Sequence, residues 1–141
     1  AWQRFGVLRR DALAARAGAV IAAYDVRCEG PGATIRLLSG GNVQKVILGR
    51  VLERRPRLIL ANQPTRGLDV GAVAYVHDRL LEARAGGAAI LLVSEDLDEL
   101  LALADRVAVL YRGRLGPALP IAEVTLRRLG LMMAGHHEDA A

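Results

Sequence analysis

The sequence has a single cysteine, Cys28, among its 141 residues. That excludes an internal disulfide, and with three histidines the chain offers no spaced Cys/His set for a metal cage. A reducing, cytoplasmic setting is expected. Aromatic residues make up 4% of the chain, so the net charge of +4 has no stacking surface to accompany it, and no nucleic-acid partner is expected. Arg54, Arg55 and Arg57 follow an expected helix end, where cations complement free carbonyls. Long apolar runs are also missing: none is longer than that at 88–93, far short of the roughly 18–20 residues of a membrane-spanning helix. Residues 1–5 show no apolar run with a small-residue cleavage site, so no secretory signal is expected. With 52% apolar residues the chain is expected to form one compact unit around one core.

Leu8, Leu13, Ala14, Val20, Ile21 and Tyr24 recur at helical spacing and predict an amphipathic helix over 7–24. A Glu29-Gly30-Pro31-Gly32 break follows. Ser39 is a good N-cap for a second helix, whose face of Val43, Val46, Ile47 and Val51 runs through Leu52. Residues 58–61 form a short apolar run read as a strand buried on both faces, and 88–93 repeats that pattern after a helix ending at Gly86-Gly87. A short helix over 96–104, a strand over 106–111, a tight turn at Arg112-Gly113-Arg114, a further strand and a closing helix over 121–134 complete the order. Residues 136–141 read as a frayed tail. Strands alternating with helices predict a layered α/β fold with a mostly parallel sheet and flanking helices.

The segment richest in chemistry is Leu38-Ser39-Gly40-Gly41-Asn42-Val43-Gln44-Lys45. A hydroxyl and two glycines at a helix start expose backbone N–H groups and the positive end of the dipole, which suits an anion, while such a start taken alone is more often a plain cap. Beyond that helix, an apolar strand leads into Asn62-Gln63-Pro64-Thr65-Arg66-Gly67-Leu68-Asp69-Val70-Gly71-Ala72.

Residues 38–44 resemble the signature motif of ABC ATPases, and 58–69 resemble their Walker B strand and D-loop. The Gly-Gly-Asn signature and the Thr-Arg-Gly-Leu-Asp-Val-Gly-Ala run resemble the ATPases of simple-sugar and nucleoside importers, which carry two such domains in one chain. The resemblance runs in register from about residue 24 to 114, and Met133-Ala134-Gly135 fits the family's end. It implies the carboxy-terminal half of a second nucleotide-binding domain. Residues 1–52 would then belong to the helical signature subdomain, and 53–141 to the carboxy-terminal part of a P-loop ATPase α/β core.

The departures from the family pattern are as informative. The family's Walker B strand ends in Asp-Glu, which hold Mg²⁺ and polarise water, whereas this chain has the neutral amides Asn62 and Gln63. Where the family places a histidine toward the γ-phosphate, Ser94 is followed by Glu95, a carboxylate that repels phosphate. No GxxxxGK[ST] loop occurs, so the chain alone has no cradle for the β and γ phosphates. The loop is expected on a segment preceding residue 1, in a longer protein.

The resemblance implies two domains closing head to tail, each ATP lying between one domain's Walker loops and the other's signature. Ser39, Gly40, Gly41, Asn42 and Gln44 would then meet ATP in trans, and Asp69 would link the two sites. The chain's own site, at Asn62, Gln63 and Glu95, would be degenerate, with no hydrolysis by this chain alone. Also implied are ATP and Mg²⁺ in the assembled site, a first nucleotide-binding domain and transmembrane permease subunits as partners, an extracellular substrate-binding protein as an indirect one, and the cytoplasmic face of the membrane as location. Loss of both Walker B carboxylates together with Glu95 looks more like nucleoside-type than pentose importers. Two alternatives stay open: a non-catalytic regulatory or assembly module using the same interface, and an ABC protein acting on nucleic acid. His77 has no second ligand at i+4, and His136 and His137 lie in a polar tail, so none is assigned a metal. Asp96 is read as a helix cap and Arg66 as an interface residue.

Overall fold

The structure, a computed structural model, describes residues 3–4 and 7–136. It divides into two compact units, Ala1–Leu91 and Leu92–Ala141, where a single one was expected. The reason is that the second stretch builds its own apolar cluster from Val107, Val109, Leu129 and Met132. The expected frayed tail lies, from residue 137 on, outside the described residues.

In the first unit, β1 (Gln3–Arg4) pairs antiparallel with β2 (Val7–Leu8), so the first helix, α1, begins at Arg10 and spans Arg10–Ala23. Its end is a left-handed turn with Asp25 at φ 47°, and Val26 N–H reaches back to Ile21 O at 3.0 Å. After a 3-10 turn at Ile35–Leu37, Ser39 caps α2 (Gly40–Leu52). Helices α1 and α2 approach closely because position 49 is glycine: a Cβ there would lie 2.6 Å from Val20 Cγ1 and 2.9 Å from Tyr24 Cδ2.

Next come β3 (Leu58–Asn62), α3 (Val70–Ala85) and β4 (Ala89–Val93), with β3 and β4 as neighbours in one sheet. Ala89 N–H donates to Arg57 O at 2.9 Å, which sets the two strand starts side by side, the parallel arrangement a helical crossover needs. Ile59 and Ala61 are buried, as are Val76 and Leu80 of α3. Leu58 and Leu60 are 59% and 72% exposed, which corrects the expectation of a strand covered on both sides. Strand alternation sends them to the opposite face, and no described element covers it.

In the second unit, Asp96 caps α4 (Leu97–Leu103). The single strand expected over 106–111 is two: β5 (Arg106–Val107) and β6 (Leu110–Tyr111). Strand β6 pairs with β7 (Arg114–Leu115), and β5 pairs with β8 (Leu119–Pro120), both antiparallel, so the parallel pattern is confined to β3 and β4. The β6–β7 loop is Arg112-Gly113, with φ 47° and 78°, the doubly left-handed turn that two-residue hairpins prefer. The expected closing helix is interrupted: a 3-10 turn at Ile121–Glu123 gives way to extended Val124 and Thr125, and Thr125 Oγ1 accepts from Arg128 N–H at 3.1 Å to start α5 (Leu126–Met133). Gly135 follows at φ 87°, where a Cβ would lie 2.5 Å from the Tyr111 ring.

Candidate functional site

The start of α2 is organised by two side chains. Ser39 Oγ accepts from Asn42 N–H at 3.4 Å and from Asn42 Nδ2 at 2.9 Å, while Asn42 Oδ1 accepts from Arg27 N–H at 2.8 Å. Both functional ends of the Asn42 side chain are thus used inside the protein, and Asn42 positions the cap. Ser39 Oγ accepts both of these bonds, and a hydroxyl has one hydrogen besides with which to donate. Ser39 and Gly40 are exposed; Gly41, Asn42 and Gln44 are half-buried.

A second helix start lies against the first. A Cβ on Gly41 would sit 3.1 Å from Ala72 Cβ, and one on Gly40 would sit 3.7 Å from Leu68 Cδ2, so the absence of side chains lets α2 and the loop before α3 come together. Asp69 caps α3, its Oδ1 accepting from Ala72 N–H at 2.9 Å. Sequence reading singled out Asp69 without seeing this cap, although an Asp three residues before Ala72 at a helix start was the available signal. Two positive dipole ends converge there, each occupied on one side by its own cap.

The rear of α2 is anchored by Lys45, whose ammonium donates to Asp25 O at 2.8 Å and Asp25 Oδ2 at 2.9 Å and lies 4.7 Å from the centre of the Tyr75 ring. Tyr75 in turn donates to Tyr24 O at 3.1 Å. The Lys45 hydrogen bond, and then its charge, hold the Asp25 carboxyl below its ordinary range. Burial pushes the Tyr75 and Tyr24 phenols up, with Glu53 adding to the rise at Tyr24. Tyr24 and Lys45 stand out in the sequence, but the bracing contacts among these four residues do not, because they join positions 20 and 51 residues apart.

Asn62 ends β3 exposed, and Gln63 follows with φ 49°, left-handed for a residue that is neither glycine nor asparagine. Its carbonyl accepts from Arg66 N–H at 3.3 Å, while Pro64 and Thr65 behind it are buried. Glu95 is exposed in the second unit, between Ser94 and the cap Asp96, whose Oδ1 accepts from Asp98 N–H at 2.9 Å and Glu99 N–H at 3.2 Å. Among the described residues no group of three or more His, Cys, Asp or Glu could hold a metal ion, and no helix is long and apolar enough to cross a membrane.

No family model matches the chain. Curated proteins do. The guanosine import ATP-binding protein NupO of Bacillus subtilis (strain 168) is 44% identical over 140 residues, 99% of this chain and 28% of that protein. The nucleoside import ATP-binding protein NupA of Lactococcus lactis subsp. cremoris (strain MG1363) is 40% identical over 132 residues, 94% of this chain and 26% of that protein. An ATP-binding cassette of an ABC transporter superposes with a TM-score of 0.71 at 19% identity, over 95% of this chain and 53% of that one. The chain belongs to the ABC ATP-binding proteins. Its α/β architecture is that of their P-loop ATPase domains, as a dimeric ATP-binding cassette bound to ADP and Pi also attests, with a TM-score of 0.66 at 23% identity over 84% of this chain and 51% of that one. The chain spans about a quarter of the length of these curated relatives.

For an ABC protein, the residues present divide by the group they suit. The α2 start offers backbone N–H groups and a free hydroxyl hydrogen, which fit a phosphate oxygen. Asn62 and Gln63 suit Mg²⁺ poorly, a hard cation usually held through one or two carboxylates together with substrate phosphates.

Proposed function

We propose that the chain is part of the ATP-binding subunit of an ABC importer for nucleosides or simple sugars, and that it serves an ATP held mainly by a partner domain. The substrate class is supported by the likeness to NupO and NupA, guanosine and nucleoside import proteins, and by 43% identity to the glucose import ATP-binding protein TsgD13 of Haloferax volcanii over 98% of this chain and 26% of that protein. Residues 1–52 act as the signature-bearing helical part, and 53–141 as the carboxy-terminal part of the ATPase core. A segment outside this sequence supplies the phosphate loop. The partners are a first nucleotide-binding domain and permease subunits at the cytoplasmic face of the membrane, with an extracellular binding protein acting through the permease. ATP supplies the energy by hydrolysis at the site where the partner holds it.

The observation that carries this reading is the contrast between two sets of residues. Ser39 keeps a donor free at a helix start backed by the Asp69-capped helix. Asn62 and Gln63, by contrast, carry no charge, and Glu95 carries the wrong one for phosphate. Ser39, Gly40, Gly41 and Gln44 meet the partner's ATP; Asn42, held by Ser39 and Arg27, keeps that helix start in place; Asp69 joins it to the chain's own degenerate site. The silent Asn62-Gln63 pair also favours a second reading, an assembly module that never turns over, and ATPase activity of the complete complex separates the two.

In the complete two-domain protein, Ser39→Arg abolishes ATPase activity by filling the helix start with a bulky side chain, whereas Gln63→Ala changes it little. Equal loss from both substitutions refutes the partition.

A further inference from the structure

In the second unit, residues between 117 and 136 border a cavity of about 430 Å³ on the β8 side of α5. Leu119, Leu131 and Met132 give it an apolar side, and Thr125, Arg127, Arg128 and His136 a polar one. That volume, with an apolar wall and a few converging polar groups, is typical of small-molecule sites. No Asp or Glu lines it, so its charge is of one sign. The whole lining comes from one stretch of a single unit, so this chain builds the cavity by itself.

The placement of the two arginines points to a ligand. They are the second and third residues of α5, whose first turn contains no acid. The positive end of a helix disfavours cations, and the Thr125 cap, spent on Arg128 N–H, leaves that repulsion in place. Local conflicts of this kind are expected at binding sites, where a ligand resolves them. Among the described residues the Arg127 guanidinium has no hydrogen bond or ion pair, while Arg128 Nη1 donates to Glu123 O at 3.3 Å and is held beside the cavity that it lines. A third guanidinium, of Arg106, donates to Ala118 O at 2.8 Å, between the lining residues Pro117 and Leu119.

We infer that this cavity binds a small phosphate monoester with an apolar body. Guanidiniums, a hydroxyl and an imidazole supply donors from several directions, which the three terminal oxygens of a phosphate monoester fill better than the two of a carboxylate. Arginine suits such an anion because its planar fork donates two parallel N–H bonds to one group. Leu119, Leu131 and Met132 take the apolar body, which inorganic phosphate lacks. The site lies in a different unit from the α2 start and shares no residue with it, so it is independent of the trans role of Ser39.

The test is calorimetric titration of the complete protein that contains this chain, with AMP-PNP and Mg²⁺ saturating the ATP site so that phosphate binding there does not register. The ligands are hexyl phosphate, inorganic phosphate, hexanoate and hexanol. Hexyl phosphate is expected to bind at least about tenfold tighter than each of the others, because each lacks either the phosphate or the apolar body. Arg127→Ser and Leu131→Ser, both at exposed positions, are each expected to weaken hexyl phosphate by about tenfold or more with an unchanged thermal midpoint. The two positions guard against one variant failing to fold. Absence of hexyl phosphate binding, as when another part of the protein fills the cavity, overturns the proposal. Equal binding of inorganic phosphate, which marks a plain cationic patch, overturns it too, as does equal binding of hexanol or of hexanoate. Undiminished binding of hexyl phosphate by both folded variants places the ligand elsewhere and has the same consequence.

Discussion

Gly49→Ala adds one methyl group where α1 and α2 cross, and the structure fixes what it meets. The new Cβ stands 2.6 Å from Val20 Cγ1 and 2.9 and 3.1 Å from two ring carbons of Tyr24. Neither neighbour yields easily: Val20 is β-branched and 8% exposed, and the Tyr24 carbonyl is held by Tyr75. Overpacking of this kind costs about 1–3 kcal/mol, against a gain of about 1 kcal/mol for alanine over glycine inside a helix. With the clash well inside contact distance, the cost lies in the upper part of that range, for a net loss of about 1–2 kcal/mol. In a urea titration followed by circular dichroism, with a slope of about 1–3 kcal/mol/M, the midpoint falls by about 0.3–2 M. Val20→Ala removes the nearer obstacle, so the double variant loses less than the sum of the two singles by at least about 0.5 kcal/mol. An unchanged or raised midpoint for Gly49→Ala, with additive singles, refutes the close crossing of α1 and α2.

Three other outcomes follow from the site. Ser39→Ala and Asp69→Ala each remove a helix N-cap and each cost about 1 kcal/mol by thermal denaturation, whereas Asp69→Asn, which still caps, costs much less. Asp25 releases its proton more readily folded than unfolded, so its pairing with Lys45 stabilises above the ordinary carboxylate range and is lost as pH falls through the folded-state value; Asp25→Asn therefore flattens the stability profile below about pH 4, and an unaltered acid limb contradicts the pairing. At Gln63, φ 49° tolerates glycine and penalises a β-branched side chain, so Gln63→Val is less stable than Gln63→Gly by about 1 kcal/mol or more in chemical denaturation.

The local signals did their work where the cause of structure is local. Ser39 and Asp96 were readable as caps because a side-chain oxygen satisfying an N–H two or three residues on needs no distant partner. The Arg112-Gly113 turn was readable for the same reason. Errors arose where local pattern and environment diverge. The interruption of the closing helix at Val124 and Thr125 was missed because helical periodicity continues across it, while Thr125 as a cap resets the helix start. The strand over 58–61 was read as buried on both faces because composition records that leucines are apolar and says nothing of whether a covering element is present.

By itself the sequence determined the order of the longer helices and of the 58–62 and 89–93 strands, the two glycines at a capped helix start, and the neutral pair Asn62-Gln63, because each depends on residue type and short spacing. Only the tertiary structure decided that Gly41 meets Ala72, that Asn42 is spent on Ser39 and Arg27, and that Lys45, Asp25, Tyr24 and Tyr75 brace the helix from behind. Apart from the local Ser39–Asn42 bond, these contacts join positions 15 to 51 residues apart, and side chains that far apart in sequence meet only once the chain has folded them together.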